Sequence, residues 1–450
     1  MSSPGPENNH QPVVIGRSDH PISRSMLNEP ALKVLYRLKN SGHQAFLVGG
    51  AVRDLLLGIV PKDFDVATDA TPDEVHELFR NSRLIGRRFK IVHVRFGREI
   101  IEVATFRGDT SSLEEDDRTR DNTGRILRDN VYGDIDDDVW RRDFTVNALY
   151  YNIADFSVWD YVGGVADVRD KTLKLIGDPV TRYKEDPVRM LRAVRFAAKL
   201  GFSIDEASEE PLYELGHLLD NVPPARLADE AVKLFLAGHA AATFELLHKY
   251  DLFKVMYAQT EDFLDKSEDD DEVERAFALF RAATRNTDQR IAEGKPVTPA
   301  FLIAVFLWPV VKEATDYYRQ EGKGPVQSII MGCEHVMQEQ QKSMSVPRRV
   351  VLPVKEMLTM QVRLHHRRGV RALRMLDHPR FRAAYDLLLL RTQVGEEPKE
   401  LADWWTEIQT ASHQEQRDMV GMGKSKASGA PAGGKKKPRR RRPRRKKAAD

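Results

Sequence analysis

A chain of 450 residues exceeds the roughly 250 at which a single core stops growing, so at least two domains are expected. With 41% hydrophobic and 31% charged residues it can bury a core beneath a heavily charged surface, which excludes a disordered or fibrous protein. The net charge of +2 hides an asymmetry: thirteen of the 70 Lys and Arg lie from Lys424 onward, beside the single acid Asp450, so residues 1–423 hold 57 bases against 67 acids.

Met1 to Gly16 is rich in Ser, Pro, Asn and His and lacks the basic and apolar blocks of an export signal, so a flexible N-terminus is expected. Gln44 to Val48 reads as a strand, Gly49-Gly50 as a turn, Arg53 to Leu57 as a short helix, and Phe64 to Ala67 as a second strand. Phe89 to Phe96, a Gly97-Arg98 turn and Glu99 to Phe106 read as a β-hairpin. After Asp178 the pattern becomes helical, with Met190, Leu191, Val194, Ala197 and Ala198 on one face and similar stripes recurring to Trp405. The acidic run Glu268 to Glu272 is expected to be a solvated loop. Ala300 to Val311, the longest apolar stretch, is too short to cross a bilayer and reads as a buried helix, so no membrane contact is expected. The lone Cys333 excludes an intramolecular disulfide and a cysteine-based zinc cluster and suits a reducing compartment, the cytoplasm. From Gly421 to Asp450 almost no large apolar side chain follows Met422, which predicts a disordered polycation that contacts nucleic acid through its phosphates. Its GMGKS is not a phosphate loop, because Asp418 stands where that motif needs glycine.

The chemistry concentrates near the N-terminus. Along a strand Asp63 and Asp65 project to one side while Phe64 and Val66 face the core. Paired carboxylates repel unless a cation lies between them, and Mg²⁺ takes such oxygen ligands, so metal-assisted phosphoryl transfer with two ions is the natural reaction. Gly49-Gly50 lets backbone N–H groups approach a triphosphate, and Arg53 in the following turn can pair with its oxygens. A Gly-Gly turn or an Asp-x-Asp alone is weak evidence; their combination at this spacing is far more specific.

The segments GGAVRDLLLG (49–58) and DFDVAT (63–68) together resemble the head of the class II nucleotidyltransferases of the polymerase-beta superfamily, which includes bacterial poly(A) polymerases and tRNA CCA-adding enzymes. RRDFTVNA (141–148), YVGG (161–164), RYKEDPVRMLRAVR (182–195) and RLADE (226–230) continue the likeness, and LIGRRFKIVHV (84–94) and HPRFRAAY (378–385) resemble the poly(A) polymerase branch. The resemblance implies an α+β fold: a polymerase-beta-like head with a mixed sheet and helices, then a mostly α-helical neck and body. The boundaries expected are a flexible N-terminus at 1–24, the catalytic head at 25–165, a helical neck with the base-recognition motif at 166–240, a helical RNA-binding body at 241–412 and a disordered basic tail at 413–450.

Family resemblance makes Asp63 and Asp65 the metal-binding pair and Asp143 a further active-site carboxylate, with Arg142 and Asn147 on the sugar or phosphates of the nucleotide. Strand logic offers Glu102 as a competing third carboxylate; Asp143 is ranked above it, with helix capping as its structural alternative. Pro187 suits the first position of a helix and Asp186 its N-cap, which sets Arg189, Arg192 and Arg195 three apart on one face. The resemblance makes Asp186 and Arg189 a protein template for the incoming base, which is chemically reasonable because a carboxylate beside an arginine matches a base edge. Adenine and cytosine both expose an amino group beside a ring nitrogen, so this pair does not separate ATP from CTP. His365, His366, Arg367, Arg368, Arg371, Arg374, Arg380 and Arg382 offer RNA phosphates a basic helical surface, while Trp404-Trp405 suits helix packing better than base stacking. The expected activity is template-independent addition of AMP from ATP to RNA 3′ ends, with Mg²⁺ as cofactor and RNA-decay proteins as partners. CCA addition to tRNA is the nearest alternative and an inactive RNA-binding scaffold the alternative from another class.

Overall fold

The structure is a computed structural model that describes residues 11–86, 90–108 and 131–422. Short strands with alternating faces build its N-terminal part: β1 (Val13–Ile15), β2 (Ala45–Val48), β3 (Asp65–Thr68), β4 (Ser82–Ile85), β5 (Ile91–Phe96), β6 (Glu99–Thr105), β7 (Leu149–Asn152) and β8 (Val158–Asp160). Among the described residues they form one mixed sheet in the order β1-β8-β7-β2-β3-β6-β5-β4, with β3 and β6 parallel and the other neighbours antiparallel. Leu47, Val66, Val92, Ile101 and Val103 bury one face against the helix Glu29–Asn40, whose Ala31, Val34, Leu35 and Leu38 form its apolar stripe. Phe46, Val48, Ala67 and Tyr150 point the other way, toward Ile135 and Val139 of the helix Ile135–Arg141. The expected strands, the hairpin and the helix after Gly49 all form, the last over Gly50–Leu56.

The helix Val188–Leu200 carries the predicted stripe inward and stops at Gly201, which adopts a left-handed φ of 64°. Helices account for nearly all regular structure beyond it, apart from a short parallel pair between Thr172–Leu173 and Ser203–Ile204. A second core near the C-terminal end gathers around Trp405, whose indole N–H donates to the Leu364 carbonyl, as helix packing predicts.

Several local expectations are corrected. Residues 13–15, placed in a flexible terminus, pair with β8 as an edge strand, because Val13-Val14-Ile15 can add backbone hydrogen bonds to Val158–Asp160. Ala300–Val311 is two helices, Pro299–Phe306 and Trp308–Gln320; Pro309 has no N–H to continue the first and sits comfortably in the first turn of the second. The acidic run is no loop: Asp269 caps the helix Asp270–Ala292, and Asp270, Asp271 and Glu272 face its positive N-terminal dipole. His413–Met419, expected in the tail, forms a helix closed by the Ser412–Glu415 capping box. The polycation itself, from Lys424, lies outside the described residues.

Candidate active site

Strand register assembles the acidic face. Asp65 opens β3 and pairs directly with Glu102 of the parallel β6, so both side chains leave the sheet on the face opposite Val66 and Val103. Asp63 lies two residues upstream and is exposed, while Asp65 is half-buried. Burial first, then the negative neighbours Glu102 and Asp63, push the Asp65 carboxyl up to about 6, with Arg142 opposing them. On the far side of Glu102, His93 Nε2 stands 3.1 Å from Glu102 Oε1 without an aligned hydrogen bond. The stretch that resembles the poly(A) polymerase branch thus reaches the acidic face through His93; its residues 87–89 lie outside the described residues.

β2 delivers the glycine turn beside this cluster. Gly49 holds φ 74° and ψ −136°, a conformation open essentially to glycine alone, and its N–H donates to the Leu149 carbonyl. A side chain there would sit 3.6 Å from Arg142 Nη1, so the arginine borders the turn. Arg142 is braced from behind: Nη2 donates to Asp138 Oδ2 at 2.8 Å and Nε to the Tyr150 hydroxyl at 2.8 Å. Burial alone would raise the Asp138 carboxyl, but Arg142 and the Tyr150 hydroxyl bring it below its usual value, keeping the brace charged.

Two expected nucleotide contacts are turned inward. Arg53 is only 1% exposed, with Nε bonded to Asp54 Oδ1 at 2.9 Å and Nη1 to Asn147 Oδ1. It does not offer its guanidinium to the cleft as its place after the glycines suggested, because the helix Gly50–Leu56 rotates that position against the neck, over the ring of Phe196. Asn147 is likewise buried, its amide shared between Arg53 and Asp143.

Asp143 is fully engaged by protein. Its Oδ1 accepts from the Phe144 N–H at 2.8 Å and from Asn147, and its Oδ2 accepts from Arg192 Nε at 2.8 Å and from Nη2. Burial pushes this carboxyl up, yet Arg192, Asn147 and the Phe144 N–H hold it below its ordinary value. It therefore ties the head to the helix Val188–Leu200 through Arg192; the single turn Thr145–Asn147 that follows has Phe144 at its N-cap and no side-chain cap, so the capping alternative is not met.

Asp186 and Arg189, the expected base template, are near one another but not paired. Pro187 is the N-cap and Asp186 the C-cap of the preceding helix Pro179–Glu185, one position off the expected assignment, since Asp186 still accepts from the Val188 N–H. Asp186 Oδ2 takes a 2.7 Å bond from Arg226, and Arg189 donates to Glu185 and to the Arg182 carbonyl. Arg195 lies 4.6 Å from the centre of the Phe196 ring, its Nε without a hydrogen bond. Sequence reasoning misses Arg226 as a partner of Asp186; its place in RLADE, one of the segments that continue the family likeness, is the available signal. Among the basic residues farther on, His365 pairs with Glu397 and Arg382 with Asp386, while Arg367 lies over Trp404.

Among the described residues no group of three or more His, Cys, Asp or Glu side chains is drawn together closely enough to hold a metal ion. The open Asp63, Asp65 and Glu102 face is an all-oxygen donor set whose mutual repulsion a hard divalent cation would relieve.

The sequence matches three families: the poly A polymerase head domain over residues 45–174, the "probable RNA and SrmB-binding site of polymerase A" over 201–264, and the "polymerase A arginine-rich C-terminus" over 321–446. Poly(A) polymerase I of Salmonella typhi is 46% identical over 413 residues, 91% of this chain and 88% of the relative. The CCA-adding enzyme of Lactobacillus helveticus is 37% identical over 216 residues, 48% of this chain and 52% of that protein. In fold, the Thermotoga maritima CCA-adding enzyme solved with tRNA superposes with a TM-score of 0.56 at 18% identity, covering 92% of this chain and 97% of that one. With head, RNA-binding and arginine-rich segments all matched in order, the chain belongs to the poly(A) polymerase I family of nucleotidyltransferases.

Proposed function

We propose that this enzyme transfers AMP from ATP to the 3′-hydroxyl of RNA without a template, with release of pyrophosphate. The observation that carries the reading is the register of Asp65 against Glu102, with Asp63 alongside and the Gly49-Gly50 turn next to Arg142, in a chain that shares 46% identity with a poly(A) polymerase I across both their lengths.

Asp63 and Asp65, with Glu102 as third carboxylate, would hold Mg²⁺. When bound, the cation neutralises phosphate charge and lowers the pKa of the attacking hydroxyl. The chain's own residues do the rest. The open glycine turn admits the triphosphate close to backbone, and Arg142, held rigid by Asp138 and Tyr150, faces it as a fixed cation. Asp186, Arg189 and Arg226 read the base edge, and Asp143 acts as a positioning residue that sets the neck on the head through Arg192. In this reading Arg53 and Asn147 support that joint from inside, and Arg195 supplies a cation beside the nucleotide. The acceptor is RNA, the chain acts in the cytoplasm, and its tail adds sequence-independent affinity. No helix among the described residues is long and apolar enough to cross a membrane.

Extension of a short labelled RNA with Mg²⁺ and single nucleoside triphosphates tests this. Long ladders with ATP alone are expected; one or two additions that require CTP would move the enzyme to tRNA maturation, and no extension would leave an RNA-binding scaffold. Asp65→Ala is expected to abolish tailing while RNA binding persists.

A further inference from the structure

The helix Pro224–Phe235 that sends Arg226 to Asp186 also walls a cavity of about 410 Å³ on the body side. Its lining is mainly apolar: Val232 and Phe235 on this helix, Tyr257, Ile303 and Pro347 opposite. Two arginines and one exposed carboxylate, Asp229, stand among these groups. Arg349 is exposed and makes no ion pair among the described residues. Arg380 comes within 3.5 Å of Glu356, yet its Nε is buried without a hydrogen bond. The link that carries Pro347 is fastened to the nucleotide side of the same helix, because the Ser345 N–H donates to the Pro224 carbonyl at 3.1 Å.

An apolar slot beside the unpaired Arg349 guanidinium matches one unit of a nucleic acid: a flat base to enclose and a phosphate to neutralise. An apolar protein segment would fill the slot but leave Arg349 unanswered. We infer that this cavity is a subsite for an unstacked base of the RNA upstream of its 3′ end, with Arg349 and Arg380 on the adjoining phosphate. The inference rests on the acceptor being RNA. It gives the body a grip on the growing strand that does not depend on the nucleotide being added, and it separates short acceptors, which reach only the catalytic cleft, from longer ones.

Filter binding of the full chain to a trinucleotide and to a dodecamer of adenosine, without ATP, tests it. Val232 is 43% exposed at the cavity wall, so Val232→Trp fills the slot with little disturbance of the core. Arg349→Gln removes the free cation. The filled variant is expected to bind the dodecamer about tenfold less tightly, as loss of one enclosed base requires. The arginine variant is expected to lower the salt dependence of dodecamer binding by about 0.7 in log–log slope. Trinucleotide binding should stay at the wild-type value in both. Unchanged dodecamer affinity in both variants, or equal losses for both RNAs, overturns the subsite. Because the readout is binding without turnover, it fails or succeeds independently of whether ATP is the nucleotide transferred.

Discussion

Replacing Asp65 by Asn isolates the electrostatic cost of the acidic face. In the folded protein its carboxyl titrates at about 6, against 3.8 in an unfolded chain. At 1.36 kcal/mol per unit, the ionised group therefore opposes folding by up to about 3 kcal/mol once pH exceeds 6. The sign follows from proton uptake: the folded state binds the proton more tightly, so protonation stabilises it and the metal-free enzyme weakens as pH rises from about 4 to 6. Asn carries no charge and escapes this term. Urea unfolding in chelator, followed through Trp140 and Trp159 of the head, should show Asp65→Asn more stable than wild type by about 3 kcal/mol at pH 8. The gain should be about half of that at pH 5 and under about 1 kcal/mol at pH 4. Added Mg²⁺ should then stabilise wild type at pH 8 but not the variant. A variant no more stable than wild type at pH 8, or a gain that does not change with pH, would refute the reasoning that Asp65, Asp63 and Glu102 crowd one metal face.

The other substitutions probe separate parts of the site. Glu102→Gln removes the larger of the two negative neighbours of Asp65, so the Asp65 carboxyl should titrate closer to 3.8 in the metal-free enzyme, while the Mg²⁺ concentration required for tailing rises. Asp143→Asn leaves Arg192 without its carboxylate and should destabilise the enzyme by about 2 kcal/mol at pH 7, less than a fully buried pair because Arg192 is partly solvated. Since Asp143 titrates below its ordinary value when folded, that stabilisation is present above the usual carboxylate range and lost as pH falls through the folded value; the calorimetric melting temperatures of wild type and variant should therefore differ most at pH 7 and draw together as pH falls below the usual carboxylate range. Gly49→Ala must hold φ near +74° with a Cβ, a strain of about 1–3 kcal/mol, and in extension assays should raise the KM for ATP. Truncation after Met422 removes thirteen cations, so RNA affinity should fall and lose much of its salt dependence, with the nucleotide incorporated unchanged.

What a short stretch of chain determines by itself was legible without a fold. Alternation of faces at Phe64-Asp65-Val66, the Gly49 turn, the hairpin of Ile91–Phe96 and Glu99–Thr105 and the stripe of Met190, Leu191 and Val194 are local, because backbone period and allowed φ values depend on neighbouring residues alone. Glu102 was also within reach, since a parallel neighbour in register with Asp65 must share its face. Partnership was decided by the tertiary structure. Arg53 and Asn147 look like phosphate and sugar ligands in the chain, but packing of the neck places them inside and bonds them to each other. Asp143 reads in the chain as a further active-site carboxylate, and the fold gives its Oδ2 to Arg192, 49 residues away. The same holds for Arg226 on Asp186, for β1 at the sheet edge and for the cavity walled by the helix Pro224–Phe235. A side chain's identity states what it can bond; which bond forms depends on groups brought together from distant positions by burial of the core, and that choice is made only when the whole chain has folded.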